Sequence, residues 1–228
     1  ESAIASTAKA GRHALADLGG QGQVAAYTTA EGESFTVTSK IAGEDTKFDG
    51  FHTSPLNRVL VQHALIQAGY GGQDVTVFCG VPVSDYFKAG ERNDTLIAQK
   101  VENLKAVVTP ADGSSPANIV DVQVGAQAIA SYFDDVFDEA GRVRPGRDPQ
   151  TDVAVVDVGG RTTDIATILG GQQVDRTHSG TRNLGVLDVH DEIADRLRIA
   201  FGIEGELPGG LLDDAVRTGR VRLWGQQR

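Results

Sequence analysis

The sequence has no methionine, one cysteine and one tryptophan in 228 residues. Globular chains of this length usually carry several methionines. Their absence leaves three readings open: a biased composition, an excised fragment, or lost methionine positions. The one cysteine, Cys79, lies in the apolar run Val75-Thr-Val-Phe-Cys79. No disulfide framework can therefore form within the chain, and a reducing, cytoplasmic compartment is expected. No apolar run approaches the ~18–20 residues of a membrane helix, and no signal peptide opens the chain, so no membrane partner is expected. Basic blocks are missing too: 21 Lys and Arg face 31 Asp and Glu, a net charge of −10. This balance argues against direct binding to a nucleic-acid backbone, though not against action through a DNA-binding partner. What is present, 40% apolar and 23% charged residues, suits a globular chain of one large domain or two lobes.

The most informative stretch is Val153-Ala-Val-Val-Asp-Val-Gly-Gly-Arg-Thr-Thr-Asp-Ile-Ala-Thr-Ile168. It reads as a buried strand, a double-glycine turn and a second strand. Gly159 and Gly160 can adopt positive φ without a Cβ penalty, so the turn can bring backbone N–H groups close to a phosphate chain. Asp157, ahead of the turn, can hold a hydrated magnesium ion, which keeps its waters and uses few carboxylates. Thr162, Thr163 and Asp164 follow the turn. The bland alternative is a β-hairpin with a polar turn.

Elsewhere, strands alternate with helices, which predicts an α/β protein. Gln23–Thr28 and Ser34–Thr38 have strand character. Thr53-Ser-Pro-Leu56 opens a helix with a hydroxyl cap and Pro55 in the first turn. Leu56, Val59, Leu60, His63 and Ile66 recur at helical spacing, and Gly69 is placed to end the run. His63 belongs to that packed stripe, and His13 and His52 lack the spacing of metal ligands. A strand over 74–79 stops at Pro82. A helix over 94–106, a strand over 119–124 and a helix over 125–140 follow. Gly141 to Pro149 is rich in Gly, Pro and Arg and reads as a solvated linker. A third strand is expected over 173–177, a helix opening at Asn183, a short helix over 211–216 and a strand over 221–224. The resulting division is a first lobe over 1–140 with a strand-rich subdomain at about 1–52, a linker over 141–152, and a second lobe over 153–228.

Asp157-Val-Gly-Gly-Arg-Thr-Thr-Asp164 resembles the second phosphate-binding hairpin of the actin, sugar-kinase and heat-shock chaperone superfamily. Cys79-Gly-Val-Pro-Val-Ser-Asp-Tyr-Phe87 resembles the strand-then-helix entry of its first lobe. Together with Phe51-His-Thr-Ser-Pro-Leu-Asn-Arg-Val-Leu-Val-Gln-His-Ala-Leu65, it is similar to the ParM/StbA plasmid-segregation actins from about Arg12 onward. The resemblance implies an α/β, actin-like (ribonuclease H-like) two-lobed fold. It also implies an ATPase, or GTPase, that polymerises into filaments and reaches plasmid DNA through a centromere-binding adaptor. Carried over by position, Asp157 would organise magnesium, and Gly159, Gly160, Arg161, Thr162 and Thr163 would surround the phosphates. Asp164 would brace the hairpin or the attacking water. Asn183-Leu-Gly185 resembles the turn before a helix whose N-terminus faces the nucleotide.

The sequence departs from that pattern in three places. The first phosphate hairpin and the C-terminal adenosine-binding turn are absent, so the chain is expected to resemble the middle of such a protein. No Pro-Glu pair follows the strand near Val124, where the family places a glutamate on the attacking water; Gly125-Ala-Gln127 stands there instead. A non-hydrolysing actin-like scaffold and a sugar or acid kinase of the same fold are the alternatives.

Overall fold

Tyr27 and Phe35 are paired across neighbouring antiparallel strands, and both are buried. They begin the core of a computed structural model that describes residues 8–12, 24–38, 44, 46, 48–223 and 226–227. His13, Gln23 at the start of one expected strand and Trp224 at the end of another lie outside the described residues. The chain divides into two compact units, Glu1–Ala126 and Gln127–Arg228.

The first unit opens with β1 (Ala8–Ala10), β2 (Ala25–Thr29) and β3 (Ser34–Val37). A 3-10 turn at Phe51–Thr53 leads into α1 (Pro55–Gln67). The expected cap is present: Ser54 Oγ accepts from the Asn57 N–H at 3.2 Å, with Pro55 at the first helical position. There follow β4 (Asp74–Val81), α2 (Val83–Tyr86), β5 (Phe87–Lys88), β6 (Glu91–Arg92), α3 (Asp94–Lys105), β7 (Val108–Pro110) and β8 (Asn118–Ala126). One sheet has the order β1-β3-β2-β7 and is antiparallel throughout. α1 packs on it through Leu56 and Val59, which join Ala8, Tyr27, Phe35, Val37 and Val108 in one buried cluster. Each such side chain contributes roughly 1.5–3 kcal/mol when fully buried. β4 and β8 pair in parallel, and Leu104, Val101, Val61 and Leu65 cover their Ile119 and Val122 side.

Three polar side chains, Arg58 and His63 of α1 and Lys100 of α3, are buried. His63 meets Tyr27 Oη at 2.8 Å through Nδ1, and Arg58 reaches Glu31 at 2.8 Å. Lys100 Nζ donates to Asn57 Oδ1 at 3.2 Å and to the His52 carbonyl at 3.3 Å. Burial pushes the His63 and Lys100 pKa values down and the Tyr27 phenol up to about 12.

The second unit consists of α4 (Gln127–Val136), β9 (Val153–Val158), β10 (Thr163–Leu169), β11 (Gln173–Arg182), α5 (Val186–Phe201), α6 (Gly209–Thr218), β12 (Arg222–Leu223) and β13 (Gln226–Gln227). Its main sheet is antiparallel in the order β11-β10-β9. Tyr132 and Val136 of α4 pack on Ile168, Val153 and Val155.

This arrangement revises the expected boundaries. α4 belongs with β9 and β10 rather than with a first lobe ending at residue 140. Residues 141–152 are no free linker either. The C-terminal carbonyls of a helix need donors, and Arg144 supplies them. The Arg144 N–H donates to Val136 O at 2.9 Å, and its Nε donates to Asp134 O at 3.1 Å and Phe137 O at 2.9 Å. Arg142 pairs with Asp138 and Arg147 with Asp135. Element lengths differ as well: β4 runs to Val81, α4 ends at Val136 and α5 begins at Val186. β8 extends to Ala126, which delays α4 to Gln127, and β11 runs on to Arg182 because a bulge between Ile165 and Thr167 restores pairing past Asp175.

Candidate functional site

Along β9, Val153, Val155 and Asp157 share the face that α4 covers, while Val156 and Val158 on the other face are 60% and 58% exposed. Side chains alternate across a strand, so the apolar pattern itself carries Asp157 onto the covered face at its open end. Asp157 is half-buried, and its cross-strand partner is Asp164. Asp164 is 1% exposed. A carboxylate buried to that degree needs donors, and two hydroxyls supply them: Thr181 Oγ1 at 2.5 Å and Thr162 Oγ1 at 3.3 Å.

The turn between the strands is closed by the Gly159 N–H, which donates to Thr162 O at 2.8 Å. Neither Gly159 nor Gly160 uses the positive φ open to glycine. Tight approach is what the turn demands instead: a Cβ on Gly159 would stand 3.2 Å from Thr162 O. A Cβ on Gly160 would meet only the Leu187 side chain, at 3.7 Å.

The head of α5 sits directly against this turn. The Val186 N–H donates to Gly159 O at 3.0 Å and the Leu187 N–H to Gly160 O at 2.9 Å. The first amides of α5 are thus engaged by the hairpin. Gly185 caps the helix, and its own N–H donates to Asp188 Oδ2 at 2.7 Å. Thr163 Oγ1 donates to Leu184 O at 2.8 Å, tying the start of β10 to the same segment.

Peptide planarity gives this seat a consequence. Across a trans peptide, the C=O of one residue and the N–H of the next point in opposite directions. With the Gly159 and Gly160 carbonyls turned to α5, the N–H groups of Gly160 and Arg161 are directed to the opposite side. Two consecutive amides so aligned have the form of an anion cradle.

One hairpin thus brings together Asp157, Gly159, Gly160, Arg161, Thr162 and Asp164. It turns the hydroxyl of Thr162 inward to Asp164 and that of Thr163 toward Leu184. Arg142, Arg144 and Arg147 stay with α4. Among the described residues, no group of three or more His, Cys, Asp or Glu side chains is placed to hold a metal ion. Magnesium, however, is commonly held by one or two carboxylates together with water and substrate phosphates. Asp157 fits that donor set, while Asp164, buried and already hydrogen-bonded, does not. Sequence reasoning missed Thr181 and the Gly185–Asp188 cap; strand alternation would have found Thr181 had β11 been extended to Arg182. At the place of the expected glutamate, the polar residue following β8 is Gln127, the exposed first residue of α4.

Residues 12–136 match the family described as Plasmid segregation protein ParM, N-terminal. No curated protein matches the sequence. Among solved structures, the archaeal actin homolog Ta0583 superposes with a TM-score of 0.66 at 21% identity, covering 90% of this chain and 63% of that one. A pCBH ParM non-polymerisable quadruple mutant gives 0.63 at 15% identity, covering 90% and 64%. A 15-stranded ParM filament from Clostridium botulinum gives 0.62 at 15% identity, covering 97% and 69%. The chain therefore spans roughly two thirds of these relatives' length, and at such identities the likeness is one of fold: α/β and actin-like. Because the family match takes in more than half of the sequence, from Arg12 to Val136, this chain belongs to the ParM/StbA family of plasmid segregation proteins.

Proposed function

We propose that this protein is an actin-like, nucleotide-driven filament former of plasmid partition, and that the hairpin from Asp157 to Asp164 binds the nucleotide's phosphates. The observation that carries the reading is the orientation of the turn. α5 fixes the carbonyls of Gly159 and Gly160, so the N–H groups of Gly160 and Arg161 are presented together on the other side. Ta0583 has also been solved in complex with ADP, which supports a nucleotide as the ligand here.

Each residue then has a role. Gly160 and Arg161 donate backbone N–H groups to phosphate oxygens, and the Arg161 side chain adds positive charge at the turn. Asp157 holds hydrated magnesium, which offsets charge on the phosphate oxygens. Thr162 and Thr181 brace Asp164, and Asp164 in turn keeps the two strands in register. Phosphoryl transfer depends on positioning and electrostatics rather than on covalent protein chemistry, and a braced hairpin supplies the positioning. ATP is the nucleotide we assign, with GTP as the alternative.

The filament assignment follows from the family and from the ParM filament among the structural relatives. A net charge of −10 fits a protein that reaches plasmid DNA through a centromere-binding adaptor. Among the described residues no helix is long and apolar enough to cross a membrane.

Light scattering of the full-length protein with ATP and magnesium tests the reading. Scattering should rise on ATP addition and decay as phosphate is released. A stable plateau without phosphate release would make the protein a scaffold, and indifference to every nucleotide would remove the assignment altogether.

A further inference from the structure

Gly185 occupies a position that no part of the phosphate motif accounts for. Its φ of −143° is ordinary extended backbone, so conformation does not require glycine there. Space does. A Cβ at this position would collide with the Gly160 carbonyl oxygen, and it would lie 2.6 Å from the Gly160 carbonyl carbon and 2.7 Å from that of Arg161. These are backbone atoms of the turn itself and cannot swing aside as a side chain could. The segment is also anchored: Asp188 holds the Gly185 N–H at 2.7 Å, and Leu184 O receives the Thr163 hydroxyl at 2.8 Å.

We propose that Gly185, held by Asp188, is the positioning residue of the turn at 159–162, and that phosphate contact on one side of the turn is passed to α5 on the other. The inference rests on the nucleotide reading above. Its physical basis is a series of hydrogen bonds through single peptide groups. The Val186 N–H bonds the Gly159 carbonyl, and the same peptide plane ends in the Gly160 N–H. The Leu187 N–H bonds the Gly160 carbonyl, and that plane ends in the Arg161 N–H. An anion accepting from the outer N–H groups polarises both peptides and strengthens their bonds to α5. The positive end of the α5 dipole lies behind the turn and favours the same anion. Closeness at Gly185 is what makes the relay possible, since any side chain there lifts the turn off the helix.

Hydrogen exchange of the full-length protein with and without ATP and magnesium is the first measurement. ATP should slow exchange at the amides of Val186 and Leu187 together with those of the hairpin. Protection confined to 157–164 overturns the relay. Absence of protection at 157–164 removes the nucleotide reading and the relay with it. The second measurement compares ATP with AMP in binding. Gly185→Ala should weaken ATP by roughly 10–100-fold, the loss expected when hydrogen bonds to a charged group are removed. AMP affinity should stay close to wild type, which an unfolded variant could not show. Asp188→Asn, which keeps an acceptor for the Gly185 N–H, should retain more ATP affinity than Asp188→Ala. Unchanged ATP affinity in Gly185→Ala, or equal behaviour of the two Asp188 variants, overturns the positioning role.

Discussion

Asp157 and Asp164 stand directly opposite each other across β9 and β10, two carboxylates on one face of one hairpin. Like charges in that arrangement repel, at a cost of roughly 0.2–1 kcal/mol. Their surroundings separate their roles, because Asp164 is buried against two hydroxyls and Asp157 is half exposed at the open end.

Asp157→Asn should therefore stabilise the nucleotide-free protein slightly, by a few tenths of a kcal/mol to about 1 kcal/mol, as the repulsion is relieved. Phosphate release by the full-length protein should fall steeply in the same variant. Urea unfolding and a phosphate assay read the two effects separately, and wild-type turnover would refute the role given to this carboxylate.

Asp164→Ala should act in the opposite sense. It leaves the Thr162 and Thr181 hydroxyls without their buried acceptor, a loss of about 3 kcal/mol for charged hydrogen bonds. The midpoint of urea unfolding should drop accordingly. A variant as stable as wild type yet unable to hydrolyse nucleotide would move Asp164 from the brace to the reaction.

Gly160→Val places a branched side chain where the turn is open apart from Leu187, 3.7 Å from the Cβ position. The fold should tolerate it, because no backbone atom lies within contact range. ATP affinity should decline by roughly 10–100-fold as the hydrogen bonds to the charged phosphates are lost. Titration with a fluorescent ATP analogue measures this, and full affinity would show that the turn faces elsewhere.

His63 sets an expected pH dependence. Burial lowers its pKa, and the neutral ring meets Tyr27 Oη at 2.8 Å. The unfolded chain protonates its histidine near pH ~6.5, before the folded one does. The contribution to stability is complete above that pH and is lost as pH falls through the depressed folded value. His63→Gln should flatten this part of the stability profile on the acid side of neutrality. Parallel curves for the two proteins over that range would assign the acid sensitivity to other groups.

Much of the architecture was legible in the residue order because it rests on short-range rules. Ser54 and Pro55 mark the start of α1, since a hydroxyl cap and a fixed φ act locally. The hairpin from Val153 to Ile168 was equally plain, because alternation and a Gly-Gly turn need no distant partner. The segment from Arg142 to Arg147 was misread for the converse reason. Its arginines meet the carbonyls and carboxylates of α4, and nothing in their spacing points to those acceptors. Nor does the sequence show whether Gly159 and Gly160 use positive φ, since that depends on what presses against the turn.

Local order therefore settled which residues form the hairpin and where its carboxylates and glycines fall, since strand alternation and turn chemistry operate within a few positions. Folding in three dimensions settled which way the turn faces. Gly185 and the first amides of α5, more than twenty residues downstream, capture its carbonyls and so direct its N–H groups. A peptide plane has two sides, and only a contact from elsewhere in the chain can choose between them.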